Sequence, residues 1–342
     1  MKIIDLIVAT MAASLMLASC VKNVEEGFET VSPDAKDGVL SVRLMNEGMH
    51  VKGGDTSSDL EVLEQEKKVV KVSVLVFDQA TGMLNASKEL ETLNEECTMS
   101  VPVGQKVIYA VVNGPDLGEI TRLSQMGGLV DNLSESDMLE DGLTMLGSEV
   151  CVVQAGVQAT PVVGVKRLVS RVVLKRVACN IAQQYGGMTI DCVYLGNANT
   201  VQYGSGMVDG MVNPDGYADA DRTSMIGKGG VSGSCAGYMY RKVAAEVPVN
   251  GEHAGLYHMY CQPNKSSEYT CLYLLTTIGG VQYYYRVPLN KGLEANHTCS
   301  VEILISNLGS LTPPHEDYQN GSIQASISIE GWSAGNGYVT EF

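Results

Sequence analysis

Hydrophobic and polar positions alternate with a period of two along most of this chain. In residues 38–45, Leu40, Val42 and Leu44 share one face of an extended strand. Residues 69–77 repeat the pattern with Val70, Val72, Val74 and Val76, while Lys71 and Ser73 open the other face. Residues 98–103 and 107–112 predict a further pair of strands. The second of these is apolar on both faces, as in the centre of a sandwich. Residues 150–157, 161–165, 188–194 and 299–306 read as strands too. Residues 269–277 and 281–287 form a hairpin around Gly279-Gly280. The cleanest alternation sets Ile323, Ala325, Ile327 and Ile329 against Gln324, Ser326, Ser328 and Glu330. Residues 117–138 depart from it. There Leu117, Ile120, Leu123 and Met126 stand three apart, which predicts one or two short helices. Many short strands punctuated by turns predict a mostly β protein made of two β-sandwich domains with a few short helices.

The first twenty residues follow another rule. Lys2 precedes an apolar run over residues 6–17, too short for the roughly 20 residues of a membrane-spanning helix. The run ends in Leu17, Ala18, Ser19 and Cys20, the pattern of lipoprotein processing. It predicts a signal peptide over residues 1–19 and lipidation of Cys20. Residues 20–37, with Glu25, Glu26, Glu29 and Asp34, read as a polar tether or propeptide. The two domains are then expected at 38–163 and 164–342. Near that boundary Lys166, Arg167, Arg171, Lys175 and Arg176 crowd one segment. They suit either an anion site or a strand whose long basic side chains lie over apolar surface and meet neighbouring acids. The second is favoured. Residues 196–237, rich in Gly, Asn, Asp and Ser, predict a long loop region, a functional or poorly ordered excursion.

Composition narrows the function. A formal net charge of −16 repels polyanions, so nucleic acid is not an expected partner. Eight of the nine cysteines remain once Cys20 is assigned to lipid, enough for up to four disulfides in an exported chain. For those in apolar runs, such as Cys179 and Cys271, a buried thiol is the alternative. His253, His258 and Cys261 offer metal-ligand types but lack a fourth partner. Cys235 sits in a Gly-x-Cys-x-Gly loop without the strand and helix of a nucleophile elbow. Asp215, Asp219 and Asp221 lack the glycine and terminal glutamate of a calcium loop. Gly204, Gly206 and Gly210 miss the dinucleotide spacing. No constellation supplies nucleophile, base and orienter together. The expectation is a binding or structural protein, not an enzyme, with no catalytic residue, metal or cofactor.

An ordered series of weak motifs resembles the fimbrillins, the outer-membrane lipoprotein precursors of type V pili. The series begins with the lipidation cysteine Cys20, the acidic tether and the strand at 38–45. It continues with Lys-Val-Ser-Val-Leu-Val-Phe at 71–77, Gly-Gln-Lys-Val-Ile-Tyr-Ala-Val-Val-Asn at 104–113 and Val-Lys-Arg-Leu-Val-Ser-Arg at 165–171. Tyr-Tyr-Tyr-Arg-Val at 283–287, Leu-Glu-Ala-Asn-His-Thr at 293–298 and Trp332 close it. The resemblance implies transthyretin-like sandwiches, surface exposure on the outer membrane, and assembly into a fimbrium (pilus) that serves adhesion. Its partners would be copies of itself or related fimbrial subunits, with host or bacterial surface ligands besides. In such a protein a protease removes the first strand, here Leu40, Val42 and Leu44. The C-terminal strand of another subunit, here Trp332, Tyr338 and Phe342, then fills the groove. The family's arginine lies in the loop after the first strand. This chain has Asn-Glu-Gly-Met-His-Val-Lys at 46–52, which leaves Arg43 and Lys52 as the candidate cleavage sites. An anchor or accessory subunit that stays lipidated, and a lipoprotein that binds surface glycan or host protein, are the alternatives.

Overall fold

The computed structural model describes residues 37–46, 63–133, 140–205, 208–209, 238–264, 269–289, 293–312, 314 and 323–332. Cys20, the signal, Lys52, Tyr338 and Phe342 lie outside the described residues, as do Asp215, Asp219, Asp221 and Cys235. The N-terminal strands are β1 (Asp37–Asn46), β2 (Val72–Asp78), β3 (Leu84–Leu90), β4 (Cys97–Pro102), β5 (Gly104–Val112), β6 (Val130–Asn132), β7 (Met145–Val153), β8 (Gln158–Ala159) and β9 (Val162–Arg167). They are followed by β10 (Ser170–Cys179), β11 (Met188–Gly196), β12 (Val201–Tyr203), β13 (Val208–Asp209), β14 (Tyr240–Val247), β15 (Glu252–Cys261), β16 (Cys271–Ile278), β17 (Val281–Pro288), β18 (His297–Ile305) and β19 (Ile323–Gly331). One helical turn, α1 (Glu64–Lys67), precedes β2.

The first nine strands, β6 apart, form one sheet in the order β3-β2-β5-β7-β9-β1-β4, with β8 beside β1. β7 and β9 share only Met145 and Leu146 with Arg167 and Lys166, so the sheet folds over at this seam. Gly147 makes the close crossing feasible, since a Cβ there would lie 2.2 Å from the carbonyl oxygen of Gly164. The two layers enclose a core of Leu40, Val42, Val74, Ile108, Ala110 and Val163, among others. The C-terminal strands form two four-stranded sheets, β15-β10-β18-β19 and β14-β11-β16-β17. Val172, Leu174 and Val301 from one and Ile190, Leu274 and Tyr285 from the other share a second core. The architecture is mostly β, as the alternation predicts. The Gly279-Gly280 hairpin forms as expected, with φ of 57° and 79° at its two glycines.

Two expectations change, and one open alternative closes. Residues 98–103 and 107–112 do not pair with each other. β4 pairs with β1, and β5 lies between β2 and β7 in the opposite layer. Pro102 and Gly104, the latter at φ 120°, carry the chain across the core instead of folding it into a hairpin. The second face of β2 is not open. Leu75 and Phe77 join Val111, Ile120 and Met126 in a third, smaller core. The covering segment contains a 3-10 helix over Leu123–Gly128, where short helices are predicted. Finally, of the two states left open for the cysteines, Cys97, Cys151, Cys179 and Cys261 take the thiol, as the buried-thiol alternative has it for Cys179.

Candidate functional site: the first-strand groove and the C-terminal exit

β1 occupies a slot with two walls. Residues 37–42 pair antiparallel with β4, and Val39 and Leu40 pair in parallel with β8 on the other side. From Arg43 to Asn46 the strand runs parallel to β9. Leu40 is 0% and Val42 2% exposed, and Leu44 is half-buried, so the predicted apolar face does point into the core. Burial of Leu40 and Val42 stabilises by about 1.5–3 kcal/mol each. Withdrawing the strand would strip both edges of their hydrogen bonds and open an apolar trough between them. Arg43 points to solvent, but its backbone is engaged, with its N–H donating to the Pro161 carbonyl at 3.0 Å.

The fit is tightest at Gly38. A Cβ at this position would come 2.6 Å from both the Gln154 carbonyl oxygen and Val153 Cγ1. No side chain is accommodated there without moving backbone, because one of the two walls is the carbonyl of Gln154, just past β7.

A buried ionic and aromatic cluster joins the chain just after the 47–62 stretch to the residue that leads into the C-terminus. Glu66 in α1 is fully buried. Its carboxylate accepts from the Leu63 N–H at 2.8 Å, from Arg171 Nη1 at 2.9 Å and from the Tyr260 hydroxyl. Arg167 Nη2 donates to the Glu66 carbonyl at 3.1 Å, and Arg171 Nε donates to Thr298 Oγ1 at 2.9 Å. Trp332, 1% exposed, stacks on Tyr260 at 5.8 Å between ring centroids. Both guanidinium carbons, of Arg167 and Arg171, lie 4.7 Å from its ring centroid, within cation–π range. The Trp332 backbone N–H donates to the Asn296 carbonyl at 2.9 Å. Burial pulls the Arg167 guanidinium down to about 10 against the attraction of Glu66, and burial together with the Glu66 charge pushes the Tyr260 hydroxyl up. A dry site of this kind strengthens each charge contact and penalises any that is broken.

The basic segment thus divides in two. Arg176 behaves as the favoured reading expects, exposed and bridging Glu252 at 3.0 Å and Glu302 at 2.8 Å. Arg167 and Arg171 do not lie over the surface. They enter the core because an internal carboxylate balances them. Glu66 and Tyr260 carry no signal in the local pattern, since Glu66 stands 105 residues from Arg171 in sequence. Trp332 packs within its own chain, so a donor segment would begin beyond it. His253 bonds to the Tyr257 hydroxyl at 2.8 Å, while His258 and Cys261 are buried. No group of metal-ligand side chains assembles among the described residues.

No family model matches the chain, and no curated protein matches it in sequence. Solved structures do match its fold. A protein from Bacteroides eggerthii DSM 20697 assigned to cell adhesion superposes with a TM-score of 0.64 at 17% identity, covering 87% of this chain and 96% of its own. A fimbrilin from Porphyromonas gingivalis W83 gives 0.60 at 14% identity, covering 87% and 98% respectively. A second protein assigned to cell adhesion, from Parabacteroides distasonis ATCC 8503, gives 0.59 at 16% identity over 88% and 99%. Identity this low speaks for architecture alone, and over nearly the full length of each of these proteins the chain has the fimbrillin-like fold.

Proposed function

We propose that the chain is a structural subunit of a cell-surface fimbria. It would be exported as a lipoprotein precursor anchored at the outer membrane through Cys20 and assembled by replacement of its first strand. The observation that carries this reading is the seat of β1. It is an inner strand with hydrogen-bonding neighbours on both sides, yet it is joined to the rest of its sheet only through residues 47–62. Cutting that connection frees a strand that leaves a template for another. The Arg43 backbone lies in the ladder, so the proposed cleavage falls in the stretch after Asn46, where Lys52 stands. The stretch after Trp332, with Tyr338 and Phe342, is the proposed donor. The proposed domains are 38–163 and 164–342; β9 (Val162–Arg167) spans that boundary and pairs within the N-terminal sheet, and β10 begins at Ser170.

A second reading is favoured by one feature. The 46–52 stretch holds no arginine, which suits an accessory or anchor subunit that keeps its lipid and its first strand. Mass spectrometry of the N-terminus, on protein from native membranes and from isolated fibres, separates the two. A fibre form that begins beyond Asn46 supports strand replacement. Acylated Cys20 in the fibre form supports the anchor. An N-terminus at Met1 in both fractions overturns the lipoprotein route.

A further inference from the structure

The groove that β1 fills is selective, and its selectivity does not match residues 333–342. Three positions of β1 face inward in register: Gly38, Leu40 and Val42. At the first, any Cβ meets a carbonyl oxygen and a valine methyl at 2.6 Å. At the second and third the side chains are 0% and 2% exposed and pack among Val74, Ile108 and Val163. An occupant in the same register therefore needs glycine, then aliphatic residues two and four places on.

Residues 333–342 read Ser-Ala-Gly-Asn-Gly-Tyr-Val-Thr-Glu-Phe. With Gly337 at the glycine position, Val339 fills the Leu40 site but Glu341 falls at the Val42 site, an unpaired carboxylate in a dry core. With Gly335 there, Gly337 takes the Leu40 site and leaves a leucine-sized void. Run in the opposite direction, Gly337 brings Gly335 and Ser333 to the buried sites. The aromatic face of Tyr338 and Phe342 puts Asn336 where no side chain fits. Gly331, read backwards with Ile329 and Ile327, has the right spacing, but those residues are paired along β18.

We infer that the β1 groove admits strands of the form glycine-x-aliphatic-x-aliphatic, so that the strand it accepts in a fibre comes from a different fimbrial subunit and not from residues 333–342 of a second copy. The inference rests on the strand-replacement reading above and names the partner by its chemistry. The C-terminal stretch then serves another subunit's groove, and the chain joins unlike neighbours.

Peptide exchange tests it on the full-length chain, with a site-specific protease sequence placed within residues 48–58 and cut after folding. Three fluorescent peptides are offered: residues 37–46, the same peptide with Gly38→Ala, and residues 333–342. Label retained on the protein after gel filtration is the readout. The native peptide should enter, the Gly38→Ala peptide should enter about tenfold or more weakly, and the 333–342 peptide should stay at background. Entry of either of the last two at the native level overturns the selectivity while leaving strand replacement intact. Failure of the native peptide to enter at all overturns strand replacement, and the inference falls with it.

Discussion

Replacing Glu66 by alanine should destabilise the protein more than any other single charge deletion among the described residues. The carboxylate is fully buried and accepts hydrogen bonds from Leu63, Arg171 and Tyr260. Arg171 and Arg167 are 1% and 0% exposed, so neither guanidinium has water to turn to. Removing one partner of a buried ion pair costs about 3–5 kcal/mol, most of it from the charge left behind. At roughly 2–4 °C per kcal/mol for a domain of this size, Tm should fall by about 10 °C. Glu66→Gln retains an acceptor and loses the charge, so about 1.5–3 kcal/mol is expected. Trp332 is the single tryptophan of the chain and lies 4.7 Å from both guanidiniums, so its emission reports on this cluster directly. Urea unfolding followed by tryptophan fluorescence gives the stability, and the native emission maximum gives the local state. Glu66→Ala should shift that maximum to the red before the global transition. An alanine variant within about 0.5 kcal/mol of the parent, with unchanged emission, would refute the balance of charges described here.

Lys106 and Thr81 hold the Asp78 carboxyl down at about 2, chiefly through the 2.8 Å bond to the Lys106 ammonium. The folded value is below the unfolded one, near 3.9, so this stabilisation is present above about pH 4 and lost as pH falls through about 2. Asp78→Asn should therefore be less stable than the parent at pH 7 and indistinguishable from it near pH 2 by denaturant unfolding. Gly147→Ala should cost about 1–3 kcal/mol or more, because its Cβ would lie 2.2 Å from the Gly164 carbonyl oxygen at the seam of the folded sheet. Calorimetry checks it, and an unchanged Tm would show that the seam can open. Deleting residues 337–342 should leave Tm within about 1 °C of the parent, since Trp332 already closes the second core, while abolishing incorporation into fibres on immunogold micrographs.

What was legible in the sequence was local. The Leu40, Val42 and Leu44 face, the glycine hairpin and the β19 alternation are periodicities of two, and the pleat converts such a pattern into burial whatever the partner strand. Pairing is not local. β4 and β5 are adjacent in sequence and joined by Val103 alone, yet they lie in opposite layers, because Leu40 and Val42 need a partner that β4 supplies. The basic segment was visible as a cluster but its division was not. Arg171 reads the same as Arg176 until Glu66, from a turn before β2, is brought against it. The groove's tightest position was equally hidden. A glycine opening a strand suggests a turn, and only the end of β7 crossing above Gly38 turns it into a steric filter.

The same seat accounts for a β1 that is stable in the uncut chain and, on the proposed reading, replaceable once cut. Two fully buried side chains and a double ladder hold it, which is modest for a strand of ten residues. What makes it a permanent occupant of the uncut chain is its attachment through residues 47–62. A covalent link of that length keeps the strand at an effective concentration on the order of 1 mM at its own groove. A free peptide at about 10 μM with the same contacts then competes at a disadvantage of roughly 100-fold. Cutting the tether abolishes that advantage without altering one contact in the core. Exchange of the 37–46 peptide should accordingly be about 100-fold lower in the uncut chain than in the cut chain, measured side by side by retained label. Equal exchange in the two would mean that β1 leaves its groove without regard to its covalent link, and proteolysis would then have no role in preparing the groove.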